Sequence, residues 1–405
     1  MSVDHSLENF LDGLGTPVGP TSEFTVNSAG ALRKMSRLQL PHPGLWVVKM
    51  VQGAVASGCF GVEFGFGKSQ LTCTVYGAPI PSAHQLLKIL LTGNTPGEPG
   101  LRHWIVALRS LYGETSTDWG WSTCRDGVTE SVRFDNGDPV TDRLEGGSRE
   151  VDILSVFVEM RRSGTGGAKL GADEYHLLCK HCPLCPLPVT ADKRLVSQQH
   201  PGILARGRYA VLWSEKGEKP GSSFSLYEGP GTPGKGVPPL IAAKTLSKVE
   251  GVFSCSLLVS VSPARLWRPA FEVFWLKDGA LVGPRQVADG PPELDIVVVC
   301  PGDDISTDLT EWALREPETH FPAQTVLRVL QEIGTTLHPH LAKIVKASEI
   351  DHRRPWLRKL GRLGEVLGGF LDDLLPESQL GLPAEFVEAI AKLGAREQLE
   401  VKRAP

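Results

Sequence analysis

The sequence predicts an α+β protein in which two α/β domains are followed by a short helical tail. A strongly apolar helix runs from Leu45 to Ser57 and leads at once into a strand-like segment, Phe60 to Phe66. Helical segments then precede a run of strands over residues 117–160, and a second run of alternating strands begins at Val252. After residue 321 the spacing of apolar residues is mainly helical.

The 405 residues are enough for two or three domains. The first residues are rich in turn-forming Gly and Pro, which predicts a flexible lead rather than a packed element. We therefore divide the chain into a lead (1–23), an N-terminal domain (24–160), a middle domain (161–320) and a C-terminal helical tail (321–405).

The composition favours a reduced, cytoplasmic, globular protein. The chain is 41% hydrophobic and 22% charged, and its net charge of −4 gives no general attraction to nucleic acid. The chain contains no run of 18 apolar residues, so we expect no transmembrane helix. The N-terminal residues are acidic, so we expect no signal peptide. The eight cysteines lie mostly in apolar runs, which does not indicate a secreted disulfide framework.

The helix from Leu45 to Ser57 is expected to lie at the centre of the fold. It is apolar on nearly all sides, so we expect it to be buried, and Gly58 stands where a C-terminal capping glycine belongs. Its residues from Lys49 to Gly53, with the small residues that follow, resemble the helix that defines the GHKL superfamily (gyrase, the 90-kDa heat-shock chaperone, histidine kinases and MutL). The resemblance implies a Bergerat-type α/β sandwich.

In that family the helix carries a catalytic Glu and, four residues later, an Asn that holds Mg²⁺. Lys49 and Gly53 occupy these positions here. A lysine cannot serve as the carboxylate base, and glycine offers Mg²⁺ no side-chain oxygen. The family's adenine-binding Asp is also missing, since the strand ends in Tyr76-Gly77-Ala78-Pro79. The alternative is an ordinary core helix without this ancestry.

A loop and the following helix carry a second similarity. Gly100-Leu101-Arg102 resembles the start of the MutL-type motif that follows the family's Gly-rich lid. Amide groups at a helix N-terminus can bind phosphate whatever the side chains. The candidate nucleotide-binding residues are therefore Gly53, Asn94, Gly97, Gly100 and Arg102. The alternative is a loop composed of turn-forming residues.

A third similarity lies between Asp303 and Leu314, which resembles a segment of the middle domain of the heat-shock chaperone. The chaperone's arginine that reaches the γ-phosphate in trans falls on Glu311, and an acidic residue there would repel phosphate. The three similarities occur in the family's chain order over roughly residues 24–315. Locally, the same segment is also typical of a capped turn or helix after a strand.

Three cysteines, Cys179, Cys182 and Cys185, have a spacing that could bind zinc or an iron–sulfur cluster, with His176 or His181 as a fourth ligand. A second Cys-x-x-Cys pair is missing. Buried small residues in a tight turn explain the motif equally well, and we expect no zinc here.

In the tail, Pro355 to Leu375 is an amphipathic helix with a basic first half. Such a helix could bind a protein partner or a membrane surface, and packing against the preceding domain explains the same pattern.

Three functions remain open. The first is a degenerate, heat-shock-chaperone-like GHKL protein that hydrolyses little or no ATP and acts as a regulatory or protein-interaction module in a multi-protein bacterial system. The second is an active ATPase that binds ATP or ADP with Mg²⁺ and uses Glu63 or Glu98 as its base. The third is a metal-binding structural protein built around Cys179, Cys182 and Cys185.

Overall fold

The computed structural model describes residues 40–67, 70–77, 80–92, 96–112, 117–135, 138–145, 151–160, 171–197, 209–214, 223–228, 246–249, 252–255, 257–263, 271–291, 294–308, 312–337 and 383–403. Within them the chain is an α+β protein with two mixed sheets, as the sequence predicts. The expected lead at 1–23 and the amphipathic helix at 355–375 lie outside the described residues.

The described residues contain six α-helices. They are α1 (Trp46–Ala56), α2 (Ala83–Thr92), α3 (Pro99–Tyr112), α4 (Ala172–His181), α5 (Ala323–Leu337) and α6 (Pro383–Gly394). Short 3-10 turns at Pro43–Leu45 and Pro317–His320 precede α1 and α5.

The first sheet has the strand order β5-β4-β3-β6-β2-β1-β7-β8. Its strands are β1 (Gly61–Phe66), β2 (Gln70–Tyr76), β3 (Thr117–Arg125), β4 (Val128–Asp135), β5 (Asp138–Glu145), β6 (Ile153–Met160), β7 (Val189–Ala191) and β8 (Arg194–Leu195). The neighbours are antiparallel except β1 and β7, which are parallel. The sheet therefore continues past residue 160, where the sequence suggested a boundary, because β7 adds to the free side of β1.

The remaining strands are β9 (Tyr209–Ser214), β10 (Ser223–Glu228), β11 (Leu246–Val249), β12 (Val252–Cys255), β13 (Leu258–Pro263), β14 (Phe271–Lys277), β15 (Ala280–Ala288), β16 (Leu294–Pro301) and β17 (Val401–Arg403). The second sheet has the order β10-β9-β13-β16-β14-β15-β17, and β11 and β12 form a separate ribbon. Strand β17 comes from the expected helical tail, so part of the tail completes the second sheet.

Helix α1 lies at the centre, as its composition predicts. Its residues from Trp46 to Val55 are all buried, and it packs against α3, β1, β2 and β15. Gly58 follows the helix with a φ of 71°, the left-handed conformation expected of a capping glycine. The apolar core is continuous across both sheets. No helix in the described part of the chain is long and apolar enough to cross a membrane.

Two reciprocal hydrogen bonds cap the N-terminus of α2. The Gln85 amide donates to Ser82 Oγ (3.2 Å), and the Ser82 amide donates to Gln85 Oε1 (3.0 Å), which together form a capping box. We expect Ser82→Ala to lower the free energy of unfolding by about 1 kcal/mol in urea titrations. Ser82→Gly should lose only a few tenths. A larger loss for glycine than for alanine would contradict the capping role.

Candidate functional site

Helices α1 and α3 cross at two of the predicted nucleotide-binding residues, Gly53 and Gly100. A methyl group at Gly53 would overlap the indole of Trp104 and would lie 3.0 Å from the Gly100 carbonyl oxygen. A methyl group at Gly100 would overlap the hydroxyl of Ser57. The two glycines therefore let the helices approach closely.

The space beside Gly53 is filled by Trp104. This side chain is 1% exposed, and its indole N–H donates to the Met50 carbonyl at 3.4 Å. Because the indole and the α3 backbone lie against Gly53, the contact is tight and largely apolar. Gly53 thus has a packing role in the structure.

The other predicted residues lie in the loop before α3. Gly97 is exposed, with no atoms close to the position of an added Cβ. The Arg102 side chain donates to the carbonyl oxygens of Pro96 (3.2 Å) and Gly97 (3.4 Å), so it ties this loop to the helix. Asn94 lies outside the described residues.

The carboxylates considered as replacement bases are both exposed. Glu63 lies on β1 and accepts a hydrogen bond from the Tyr76 hydroxyl at 2.9 Å. Glu98 lies just before α3, where the Arg102 amide donates to its carbonyl oxygen at 3.0 Å. No described contact brings either side chain to Lys49 or Gly53.

A buried row of polar side chains starts at Lys49, the residue that the GHKL resemblance would place at the catalytic position. Lys49 is fully buried, with Nζ 3.4 Å from His103 Nδ1 and 5.8 Å from the centre of the Trp312 ring. His103 is 3% exposed, and its Nε2 lies 2.8 Å from Asp278 Oδ2. These three side chains therefore join α1 and α3 to the second sheet.

Electrostatics fix the protonation of His103. Burial, with the nearby charge of Lys49, lowers the pKa of His103 to about 4, so the imidazole is neutral near pH 7. A neutral ring that donates from Nε2 to Asp278 presents Nδ1 as an acceptor for the Lys49 ammonium. Burial alone would raise the pKa of Asp278, but the hydrogen bond from His103 and the neighbouring positive charges lower it below its usual value.

Asp278 lies in the tight turn between β14 and β15. Asp278 and Gly279 have φ values of 47° and 76°, the left-handed conformations typical of an Asp-Gly hairpin turn. An Asp-Gly pair between two apolar runs is the sequence pattern typical of such a turn. A methyl group at Gly279 would crowd Val55 and Cys185, so the tip of the turn fits closely against α1 and the cysteine segment.

Hydrogen bonds hold the turn from both sides. On the α1 side, Gln52 Nε2 donates to the Lys277 carbonyl at 3.0 Å. On the other side, Lys277 Nζ donates to the carbonyl oxygens of Gly302, Asp303 and Ile305 at 2.8–3.2 Å. The Asp278 amide donates to Asp303 Oδ1 at 2.8 Å.

The three cysteines of the predicted metal motif lie in different surroundings. Cys179 is exposed, whereas Cys182 and Cys185 are buried. Burial raises the pKa of Cys182 well above its usual value and that of Cys185 to about 12, which opposes the thiolate form that binds metals. His181 Nδ1 donates to the Leu281 carbonyl at 2.7 Å. No three His, Cys, Asp or Glu side chains in the described ranges are arranged to hold a metal ion.

The segment with the third similarity forms a local turn. Asp308 Oδ1 accepts hydrogen bonds from the amides of Trp312 and Ala313, each at 3.2 Å. Glu311, at the position of the chaperone's arginine, lies outside the described residues. The Trp312 and His181 rings meet edge to face at a centroid distance of 5.0 Å, and the Lys49 Nζ lies 5.8 Å from the centre of the Trp312 ring.

Sequence reasoning identified Lys49 but missed its partners. His103 lies within the predicted helix after Gly100, where a histidine among apolar residues gave no distinct signal. The Asp-Gly pair at 278–279 indicated a turn and gave no information on where the turn would dock. The fold and this site define an α+β protein whose two sheets are joined by a buried Lys–His–Asp chain. Comparison with protein-family models and with curated proteins finds no match.

Proposed function

We propose that this chain is a GHKL-like protein that has lost ATP hydrolysis and serves as a regulatory or protein-interaction module of a multi-protein system. The observation that carries the proposal is the contact between Gly53 and Trp104. The family's Mg²⁺ ligand would project from this position, and an indole lies there instead. Magnesium requires several oxygen ligands, whereas this contact is largely apolar.

The surroundings of Lys49 support the same proposal. Catalysis of hydrolysis requires a carboxylate that can reach a water molecule beside the γ-phosphate. Lys49 is instead fully buried beside His103. The residues at the two key positions of the family helix therefore contribute to packing and to the joint between the sheets.

A protein partner is the remaining part of the proposal. The sequence from Pro355 to Leu375 predicts an amphipathic helix whose apolar stripe and basic first half would suit a partner with a complementary surface. A module without its own catalysis would act in this way, by holding or regulating another protein.

Calorimetric titration of the full chain with ATP and Mg²⁺ tests the loss of nucleotide chemistry. We expect no binding heat and no release of phosphate during prolonged incubation. Binding that depends on Mg²⁺ and leads to turnover would contradict the proposal. If any binding is detected, Arg102→Ala and Arg125→Ala should affect it equally. Selective loss in the Arg102 variant would place nucleotide at the predicted loop and overturn the proposal.

A further inference from the structure

The Asp278 carboxylate occupies a position that is built from α1 and α3. Lys49 on α1 and His103 on α3 are both buried, and the carboxylate lies 2.8 Å from the His103 Nε2 atom. We propose that Lys49 and His103 form a binding site for a carboxylate, which the chain fills with its own Asp278. This inference does not depend on whether the chain binds ATP.

The burial of the three side chains shows how such a site would be reached. Lys49 is fully buried and the His103 side chain is 4% exposed, whereas the Asp278 side chain is 18% exposed. The carboxylate therefore lies at the solvent side of the buried pair. To reach His103, a ligand carboxylate would have to displace the tip of the β14–β15 hairpin and the hydrogen bonds that hold it.

The contacts of the turn with α1 are polar, and one buried polar atom on the α1 side lacks a hydrogen-bond partner among the described residues. Gln52 Nε2 donates to the Lys277 carbonyl, but Gln52 Oε1 is buried and has no hydrogen-bond partner among the described residues. Buried polar atoms are normally paired, and an unpaired atom costs roughly 1–3 kcal/mol. A permanent joint between two sheets would be more stable if this face were apolar or fully paired. The arrangement suits a contact that can open.

The ligand class follows from the groups that the site presents. A neutral imidazole N–H is a hydrogen-bond donor, and the nearby lysine ammonium favours a negatively charged acceptor. We therefore assign the displacing ligand as a carboxylate, which would exchange with Asp278 and release the β14–β15 turn from α3.

The chain contains a matched control for this site. Asp126 and Gly127 form an equivalent turn between β3 and β4, with φ values of 50° and 79°. The Asp126 side chain is 85% exposed and pairs with Arg125 at the surface. Glycine favours both left-handed positions, so Asp278→Gly and Asp126→Gly make the same backbone change. Asp278→Gly removes a carboxylate that contacts the buried His103, whereas Asp126→Gly removes one that is exposed at the surface.

The test is rescue of Asp278→Gly by added formate. The full-length variant is unfolded by urea in sodium formate and in sodium chloride at equal ionic strength. We expect formate to shift the folding equilibrium of Asp278→Gly by about tenfold at about ten times its dissociation constant. Asp126→Gly and the unchanged protein should respond equally to the two salts. Equal responses of Asp278→Gly to formate and chloride would overturn the proposal.

A second variant decides the matter if Asp278→Gly does not fold. Asp278→Asn keeps an oxygen that can accept from His103 but removes the negative charge. Asp126→Asn is its control. We expect the folding equilibrium constant of Asp278→Asn to be reduced at least tenfold relative to Asp126→Asn. Equal stability of the two variants would show that charge is not recognised here, and the proposal would be wrong.

Discussion

Replacing Trp104 by alanine is expected to lower the free energy of unfolding by about 3–5 kcal/mol, the usual loss for a large buried aromatic residue. Trp104 is 1% exposed and fills the space between α1 and α3 beside Gly53. Gly53→Val is expected to lose about 1–3 kcal/mol, because its side chain would overlap the indole. Urea titrations measure both losses, and the midpoint should fall without a change in slope.

The double variant tests whether the two residues share one space. If they do, the valine side chain enters part of the cavity left by the indole, and the combined loss is smaller than the sum of the two single losses. We expect a coupling energy of about 1 kcal/mol or more. Gly97→Val is the control for adding the same side chain, because Gly97 faces open space. Additive losses in the double variant would contradict the packing role of Gly53.

The second large effect is a decrease in the free energy of unfolding at low pH, caused by protonation of His103. Its pKa is lowered from 6.5 to about 4 in the folded chain, so the unfolded chain takes up the proton first as the pH falls. The contribution of the neutral His103 to stability is complete above about pH 6.5 and is lost as the pH falls towards 4. Each pH unit within this range corresponds to about 1.4 kcal/mol at most.

His103→Gln separates this contribution from the others. The difference in unfolding free energy between the unchanged protein and the variant should shrink by about 1.4 kcal/mol between pH 6 and pH 5. Burial also lowers the pKa of His181 to about 4 and raises that of Asp303 to about 6, with opposite signs for stability. Both groups remain in the variant, so we expect their contributions to cancel in the difference.

The control is His320→Gln, a change at an exposed position outside the buried chain. Its difference from the unchanged protein, measured at pH 6 and pH 5, gives the effect of the same substitution outside the buried site. A constant difference for His103→Gln over the same range would contradict the assignment of a neutral, buried imidazole at this site.

Much of the fold follows from local patterns. The continuous apolar surface of α1 predicted its burial, and the glycine after it predicted the cap. Ser82 and Gln85 stand three residues apart, and the hydrogen bonds of a capping box depend on that spacing alone. The turn at Asp278 was likewise readable, because an Asp-Gly pair between two apolar runs favours a hairpin.

The remaining features depend on contacts between distant parts of the chain. His103 and Asp278 are 175 positions apart, and no periodicity links a histidine on a helix to an aspartate in a hairpin. Strand β7 joins β1 across more than 120 residues, so the extension of the first sheet could not be read locally. Strand β17 is three residues long and gave no strand signal of its own.

The predicted nucleotide residues show how one pattern can serve two purposes. Glycines spaced along a helix and before a second helix are typical of a phosphate site. They also allow two helices to approach closely. In the structure Gly53 and Gly100 make such an approach, and the bulky residue that decides between the two interpretations, Trp104, lies one turn further along α3.

Hydrogen exchange of the α1 and α3 amides, measured with and without ATP and Mg²⁺, tests the central claim most directly. Because α1 is buried on all sides, its amides should exchange only when the whole protein unfolds, and nucleotide should leave their rates unchanged. Slower exchange of Lys49 to Gly53 or Gly100 to Trp104 in the presence of nucleotide would contradict it, because amides that exchange only through global unfolding are slowed by any ligand that binds the folded protein.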